Sequence, residues 1–386
     1  MKQVIFDVDG VLLNEKRYFD VSALTLWEWY HSPYYMGLPG DTVHTALDEE
    51  EIQRLRALYW DHDRILHFLK THGVNDNWDM VHAHIVATLI VMGKEWQTLS
   101  DTSLSVTLNR PEDVCDLGKK LQSVPLPQAP EVLAFLERFV PHDAGKDDVF
   151  TALGEAAYAM GVPSLKLYAS LDSALWQLHV DCFQHWYFGD DLFQTVYGKA
   201  PIAKGKTGFL IHEEPFAPPE KIKGLFQELK RRGYAIAIAT GRSYWEVQIP
   251  FDTFHWLEEF DSFHVSTSTD VEEAEKLLHQ SLGKPNPFAY YLGAFGRYPE
   301  RYKEYADHPD QFKQGSYYIV GDSVADVWCA KAMGATMLAT LTGLEGKDAQ
   351  PILKREGADY IVPTVMDILP ILTDRKSTRL NSSHRT

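Results

Sequence analysis

Three observations predict an α/β protein with a parallel sheet and a large helical insertion. Strand-sized apolar runs alternate with amphipathic helices through the second half of the 386-residue chain. One further run, "QVIFDVDGVLL" at residues 3–13, stands alone near the N-terminus. Between it and the alternating half, residues 15–207 carry mainly helical patterns and few strand patterns. Repeated βα units imply right-handed crossovers and a sheet covered by helices on both faces.

The opening run reads as a buried strand, because Val4, Ile5 and Phe6 are β-branched or aromatic and uninterrupted. Alternation of side chains along a strand places Asp7 and Asp9 on one side near its carboxyl end, and Gly10 permits a tight turn. Two carboxylates about 4 Å apart repel by roughly 4 kcal/mol at an effective dielectric near 20, so a cation or a bound proton is expected there. An EF-hand loop requires a third oxygen ligand where Val11 stands, which excludes that reading.

In the second half, "PPEKIKGLFQELKRRG" is a helix opened by Pro219 and ended by Gly233, with Ile222, Leu225, Phe226 and Leu229 as its apolar stripe. "YAIAIAT" follows as a buried strand, then "DSFHVST" (261–267) as the next, then a helix over 271–282. Another helix follows "GKPNPF"; "SYYIV" (316–320) is a strand and 323–332 a helix. "ATMLATL" and "ADYIV" complete the strands, and a last helix lies near 365–372. The predicted domains are an α/β core over 1–14 and 208–374 and a helical domain over 15–207. The tail at 375–386, "RKSTRLNSSHRT", lacks periodicity and reads as disordered or foreign.

Bulk properties narrow the function. A formal charge of −17 argues against nucleic acid or an anionic membrane as the main partner. Cys115, Cys182 and Cys329 are too widely spaced for a C-x-x-C site and read as reduced thiols of a cytoplasmic protein. The apolar stretch "IVATLIVMG" (85–93) is too short to span a bilayer, and a strand beginning at residue 3 leaves no room for a signal peptide.

Chemistry gathers at predicted strand ends. Thr240 and Gly241 close "AIAIATGRS", where a hydroxyl and free backbone N–H groups suit a phosphate oxygen, although a β-branched residue also ends strands for no such reason. Lys284 precedes Pro285 and Pro287. Asp322 follows "YYIVG", and Ser323 with Asp326 also fits a capping box. Taken together, D-x-D-G-V, apolar-T-G-R, K-P-x-P and G-D-S-x-x-D resemble the haloacid dehalogenase (HAD) superfamily. The blocks "PFAPPEKIKGLFQELKRRGYAIAIATGRS" and "GDSVADVWCAKAMGA" look most like its phosphoglycolate-phosphatase-type branch.

That resemblance implies a Rossmann-like core with a helical cap inserted after the first strand; the cap closes over the substrate and excludes bulk water. It implies a phosphatase of a small phosphorylated metabolite. Asp7 would be the nucleophile that forms an aspartyl-phosphate, and Asp9 the general acid and then base. Mg²⁺ would be held by Asp7, the Asp9 carbonyl and Asp322, with Asp326 supporting that shell. Thr240, Gly241 and Lys284 would bind the phosphoryl oxygens. Two other readings remain open: a phosphomutase or phosphotransferase of the same family, and a non-catalytic phosphate-binding regulator. Neither the particular metabolite nor the oligomeric state is legible.

Other signals are weaker. "GKAPIAKGKTG" (198–208) imitates a P-loop but encloses six residues, not four, before Gly-Lys-Thr. His62, His67, His72, His82 and His84 read as ordinary helix histidines. The aromatic run at 26–37 packs within the insertion or lines a substrate pocket, and Lys16 and Arg17 are candidates for the substrate's non-reacting anion.

Overall fold

The computed structural model describes residues 2–312 and 315–373. The chain divides into two compact units: one runs up to Glu15 and resumes at Leu210, the other is Lys16–Phe209.

The first unit is built on six parallel strands: β1 Lys2–Phe6, β2 Tyr234–Ala239, β3 Val265–Ser266, β4 Ser316–Gly321, β5 Thr336–Thr340 and β6 Tyr360–Val362. Their order is β3-β2-β1-β4-β5-β6. Strand β1 is central and buried on both faces. Val4 and Phe6 pack into one apolar layer with Ile222, Phe226 and Trp256, whereas Ile5 packs into the other with Tyr290, Leu292 and Met337. Each fully buried side chain of this size contributes about 1.5–3 kcal/mol, which is why so short a strand can anchor the sheet.

Strands β1 and β4 are neighbours although the helical unit and β2–β3 lie between them in sequence. Connections therefore depart from them in opposite directions, and the crevice outside their carboxyl ends is the position where such sheets bind ligands. Register sets the pieces there: Phe6 pairs with Ile238 of β2 and with Val320 of β4. Asp7, Thr240 and Asp322 all lie one or two residues beyond those pairs. The segments around the insertion point are also paired, Leu13 with Pro215, the Asn14 N–H donating to the Glu214 carbonyl at 2.9 Å.

Strand β3 is shorter than the sequence suggests. Ser262–His264 forms a 3-10 turn whose cap is Asp261, with only Val265 and Ser266 left to pair with β2. The helix after it runs Ser268–Leu278, starting earlier than expected because Thr267 and Asp270 form a capping box.

The second unit contains eight α-helices and no strand among the described residues. Its longest helices are Asn77–Ser100 and Ala174–Tyr197, and the latter is broken at Gly189, whose φ of 78° lies in the left-handed region. Trp27, Trp29, Tyr30 and Tyr35 of the aromatic run at 26–37 are buried in its packing, as are Trp60 and Trp186, whereas Tyr34 is exposed. The tail read from the sequence at 375–386 lies outside the described residues.

Candidate active site

Residues 7–10 form a loop just beyond β1, not the strand end itself. Asp7 is 8% exposed, and its Oδ1 accepts the Val8 N–H at 2.8 Å. Its Oδ2 accepts from Lys284 Nζ at 2.7 Å. Gly10 then turns with φ +68°, and a Cβ there would meet Asp322 Oδ2 at 2.2 Å. A Cβ at Gly343 would meet the same oxygen at 2.0 Å. Two glycines thus make room for one carboxylate.

Asp326 is wholly enclosed. Its Oδ1 accepts from Lys284 Nζ at 2.9 Å and from the Tyr290 hydroxyl at 2.7 Å; its Oδ2 accepts the Ser323 hydroxyl at 2.8 Å and the Ser323 N–H at 3.2 Å. The capping box expected for Ser323 and Asp326 is present, and Asp326 also reaches the site through Lys284. Lys284 is itself braced over the Tyr290 ring, 4.9 Å from its centroid.

The electrostatics follow from this crowding. Burial pushes the Asp7 carboxyl up to about 7; Lys284 pulls it down, and the charge of Asp326 pushes it up again. Burial acts on Asp326 in the same direction, but Lys284 and the hydrogen bonds from Lys284, Tyr290 and Ser323 hold it below the ordinary carboxylate range. Burial alone would lower the Lys284 ammonium, yet Asp326 and Asp7 raise it well above its usual value. Further positive charge beside Asp7 would favour its ionised form.

Asp7, Asp322 and Asp326 each offer a carboxylate oxygen, all within 4.8 Å of one another. Hard oxygen donors of this kind suit a small divalent cation such as Mg²⁺. Asp326 accepts four hydrogen bonds, whereas Asp7 accepts two, one on each oxygen, so Asp7 is the better placed of these two to meet an ion. No histidine or cysteine group with metal-ligating spacing accompanies them among the described residues.

Thr240 follows the end of β2, is 1% exposed, and its hydroxyl accepts the Arg242 N–H at 3.1 Å. Gly241 is exposed, with nothing within 4 Å of where a Cβ would stand. Asp9 is not left to repel Asp7: its Oδ1 accepts from Arg242 Nε at 2.9 Å and Nη2 at 2.6 Å. The expected cation is thus two cations, Lys284 for Asp7 and Arg242 for Asp9. Arg242 stands in the T-G-R motif, yet the sequence assigns it no role; its neighbour Glu213, 3.3 Å from Nη1, carries no motif at all.

Lys16 and Arg17 open the helix Lys16–His31 in the other unit. Both pair there with Asp20, at 3.0 and 3.2 Å, and with Glu49. His82 and His84 are buried in packing contacts, as expected of ordinary helix histidines. No helix among the described residues is long and apolar enough to cross a membrane.

Comparison with known proteins agrees with this geometry. The HAD-hydrolase-like family model matches residues 281–368, which include Lys284, Asp322 and Asp326. No curated protein matches the chain. An X-ray structure from the Northeast Structural Genomics Consortium is 34% identical, covering 96% of this chain and 98% of that one, with a TM-score of 0.79. A HAD family hydrolase from Deinococcus radiodurans with bound phosphate and sodium is 14% identical over 96% of this chain and 95% of its own, with a TM-score of 0.39. A predicted phosphoglycolate phosphatase from Haemophilus somnus is 14% identical over 96% and 98%, also with a TM-score of 0.39. These two remote likenesses carry no weight for activity. The family model lies on the half of the chain that supplies most of the site, and the 34% identical structure spans nearly all of it: the chain belongs to the HAD-like hydrolases.

Proposed function

We propose that this chain is a Mg²⁺-dependent phosphatase that hydrolyses a small phosphorylated metabolite through an aspartyl-phosphate on Asp7. The observation that carries this reading is the buried Asp7 carboxylate, held by Lys284 at 2.7 Å within reach of Asp322 and Asp326 at the crevice between β1 and β4.

An Asp7 oxygen attacks phosphorus, the bond from phosphorus to the substrate oxygen breaks, and Asp9 gives that oxygen its proton. Water then attacks the same phosphorus, Asp9 takes its proton, and the aspartyl-phosphate bond breaks to release inorganic phosphate and restore the carboxylate. Lys284 and the Thr240 hydroxyl supply positive charge and a hydrogen bond to the phosphoryl oxygens as their charge grows. Mg²⁺, held by Asp7, Asp322 and the Asp9 carbonyl, would neutralise phosphoryl charge during transfer. Asp326 would keep Lys284 and the ion's surroundings in place.

Phosphate release from a panel of phosphorylated metabolites, with and without Mg²⁺, tests the proposal on wild type and Asp7→Asn. Mg²⁺-dependent release that Asp7→Asn abolishes is expected. No release from any member would overturn it, and transfer to a second hydroxyl without net release would mark a mutase instead.

A further inference from the structure

We propose that Arg242 is a positioning residue that decides which oxygen of Asp9 handles the proton; this rests on the phosphatase reading above. Both guanidinium donors that reach Asp9 converge on one atom, Oδ1, at 2.9 and 2.6 Å. Among the described residues Oδ2 has no hydrogen-bond partner. Two N–H groups occupy Oδ1, which leaves Oδ2 as the oxygen open to exchange a proton with a leaving group or a water.

The anchoring of Arg242 argues for a fixed role. Its side chain is 0% exposed, while Asp9 retains 27%. Its Nη1 donates to the Glu246 carbonyl at 3.2 Å and lies 3.3 Å from Glu213 Oε1, whose side chain is also 0% exposed. A buried guanidinium without compensating charge is costly, and here the compensation comes from one carboxylate on each side. Contacts to the Glu246 carbonyl and Glu213 fix the rigid planar guanidinium, and its two remaining donors hold Asp9 by Oδ1. Lysine, a point charge on a flexible stem, cannot put two donors on Oδ1 and also reach Glu213.

Leaving-group dependence separates positioning from mere support of the fold. Phenyl phosphate, whose phenolate has a pKa of about 10, needs protonation as the bond breaks. p-Nitrophenyl phosphate has nearly the same shape and departs with far less help. The value of kcat/KM reads events through the first transfer only. For R242K, kcat/KM on phenyl phosphate should fall on the order of 10²-fold, the scale of general acid catalysis, while p-nitrophenyl phosphate loses less than about fivefold.

Glu213→Gln keeps Arg242 and Asp9 and should show the same preference at smaller amplitude, so the question stays answerable if R242K does not fold. Equal losses on both esters, or no loss in either variant, would overturn the role of Arg242 while leaving the phosphatase reading intact. Wild type inactive on both esters and on the metabolite panel would remove that reading, and this one with it.

Discussion

Lys284 and Asp7 form a 2.7 Å ion pair across 277 positions of chain, and the same ammonium binds Asp326 at 2.9 Å. One cation therefore serves two buried carboxylates. Lys284→Ala removes it from both. Leaving an uncompensated buried charge costs about 3–5 kcal/mol, so its denaturant midpoint should fall accordingly. Phosphate release should fall about 10²–10³-fold as well, the scale of losing one donor to a developing anion. A variant as stable and active as wild type would mean that the pair contributes neither charge balance nor binding.

Gly10 concerns the metal. Its φ of +68° strains any residue with a Cβ, by roughly 1–2 kcal/mol. The added carbon in Gly10→Ala would also stand 2.2 Å from Asp322 Oδ2, with Gly343 closing the other side, so the carboxylate must move. A ligand that binds only the folded state raises stability by about 2.7 kcal/mol at a hundredfold excess over its Kd. Wild type should show that rise in melting temperature on Mg²⁺ titration, and Gly10→Ala should need substantially more Mg²⁺ for the same rise. Equal titration midpoints would separate Asp322 from the ion.

The parallel sheet was legible because its strands are buried on both faces: runs such as "YAIAIA" and "SYYIV" leave few other readings. Asp7 and Asp322 were legible because each follows such a run, and Lys284 only through its K-P-x-P motif, since it lies between two helices and not at a strand end. Arg242 was not, since its meaning lies in Asp9, 233 residues away, and only the β1–β2 register brings them together. The short β3 was misjudged because "DSFHVST" carries aromatic and β-branched residues, while the capping by Asp261 that turns its first half into a helix turn is a local hydrogen bond. In the helical unit the amphipathic helices were readable one by one, but not which face meets which. The meeting of His82 and His179, with Nδ1 atoms 2.8 Å apart, depends on helix packing that no local pattern encodes.

Buried histidines give the helical unit an acid limit. His84 Nε2 lies 3.0 Å from the Tyr59 carbonyl and Nδ1 3.0 Å from the Tyr30 hydroxyl, and burial lowers its pKa to about 4. The unfolded chain takes up this proton near pH 6.5, the folded chain only near 4. Between those values the unfolded state holds more protons, so stability is full above about 6.5 and is lost as pH falls. The loss attributable to His84 is about 3 kcal/mol by pH 4. His84→Gln retains a donor for Tyr59 and abolishes the titration. Its stability should therefore decline less steeply than wild type from pH 6.5 to 4, by up to about 1.4 kcal/mol per pH unit, whatever its stability at neutral pH. Parallel curves in pH-dependent denaturant titrations would rule His84 out as a contributor.

Lys206 lies in the stretch that imitates a nucleotide loop, and its partner lies inside the protein. Its Nζ is 2.6 Å from Glu28 Oε2 and 3.0 Å from His185 Nδ1, it sits 4.6 Å from the Trp186 ring centroid, and both charged side chains are 1% exposed. A lysine so enclosed has no freedom to meet a phosphate. Lys206→Met should cost about 3–5 kcal/mol, because it strands Glu28 in the interior, where among the described residues the Cys182 thiol at 3.4 Å is its remaining side-chain donor. The double variant with Glu28→Gln removes the stranded charge too, and should recover a large part of that loss. Denaturation followed by tryptophan fluorescence reads this directly, Trp186 being beside the pair. Simple additivity of the two single losses would show that the ions do not interact, whereas recovery identifies a buried pair whose value lies in never being half removed.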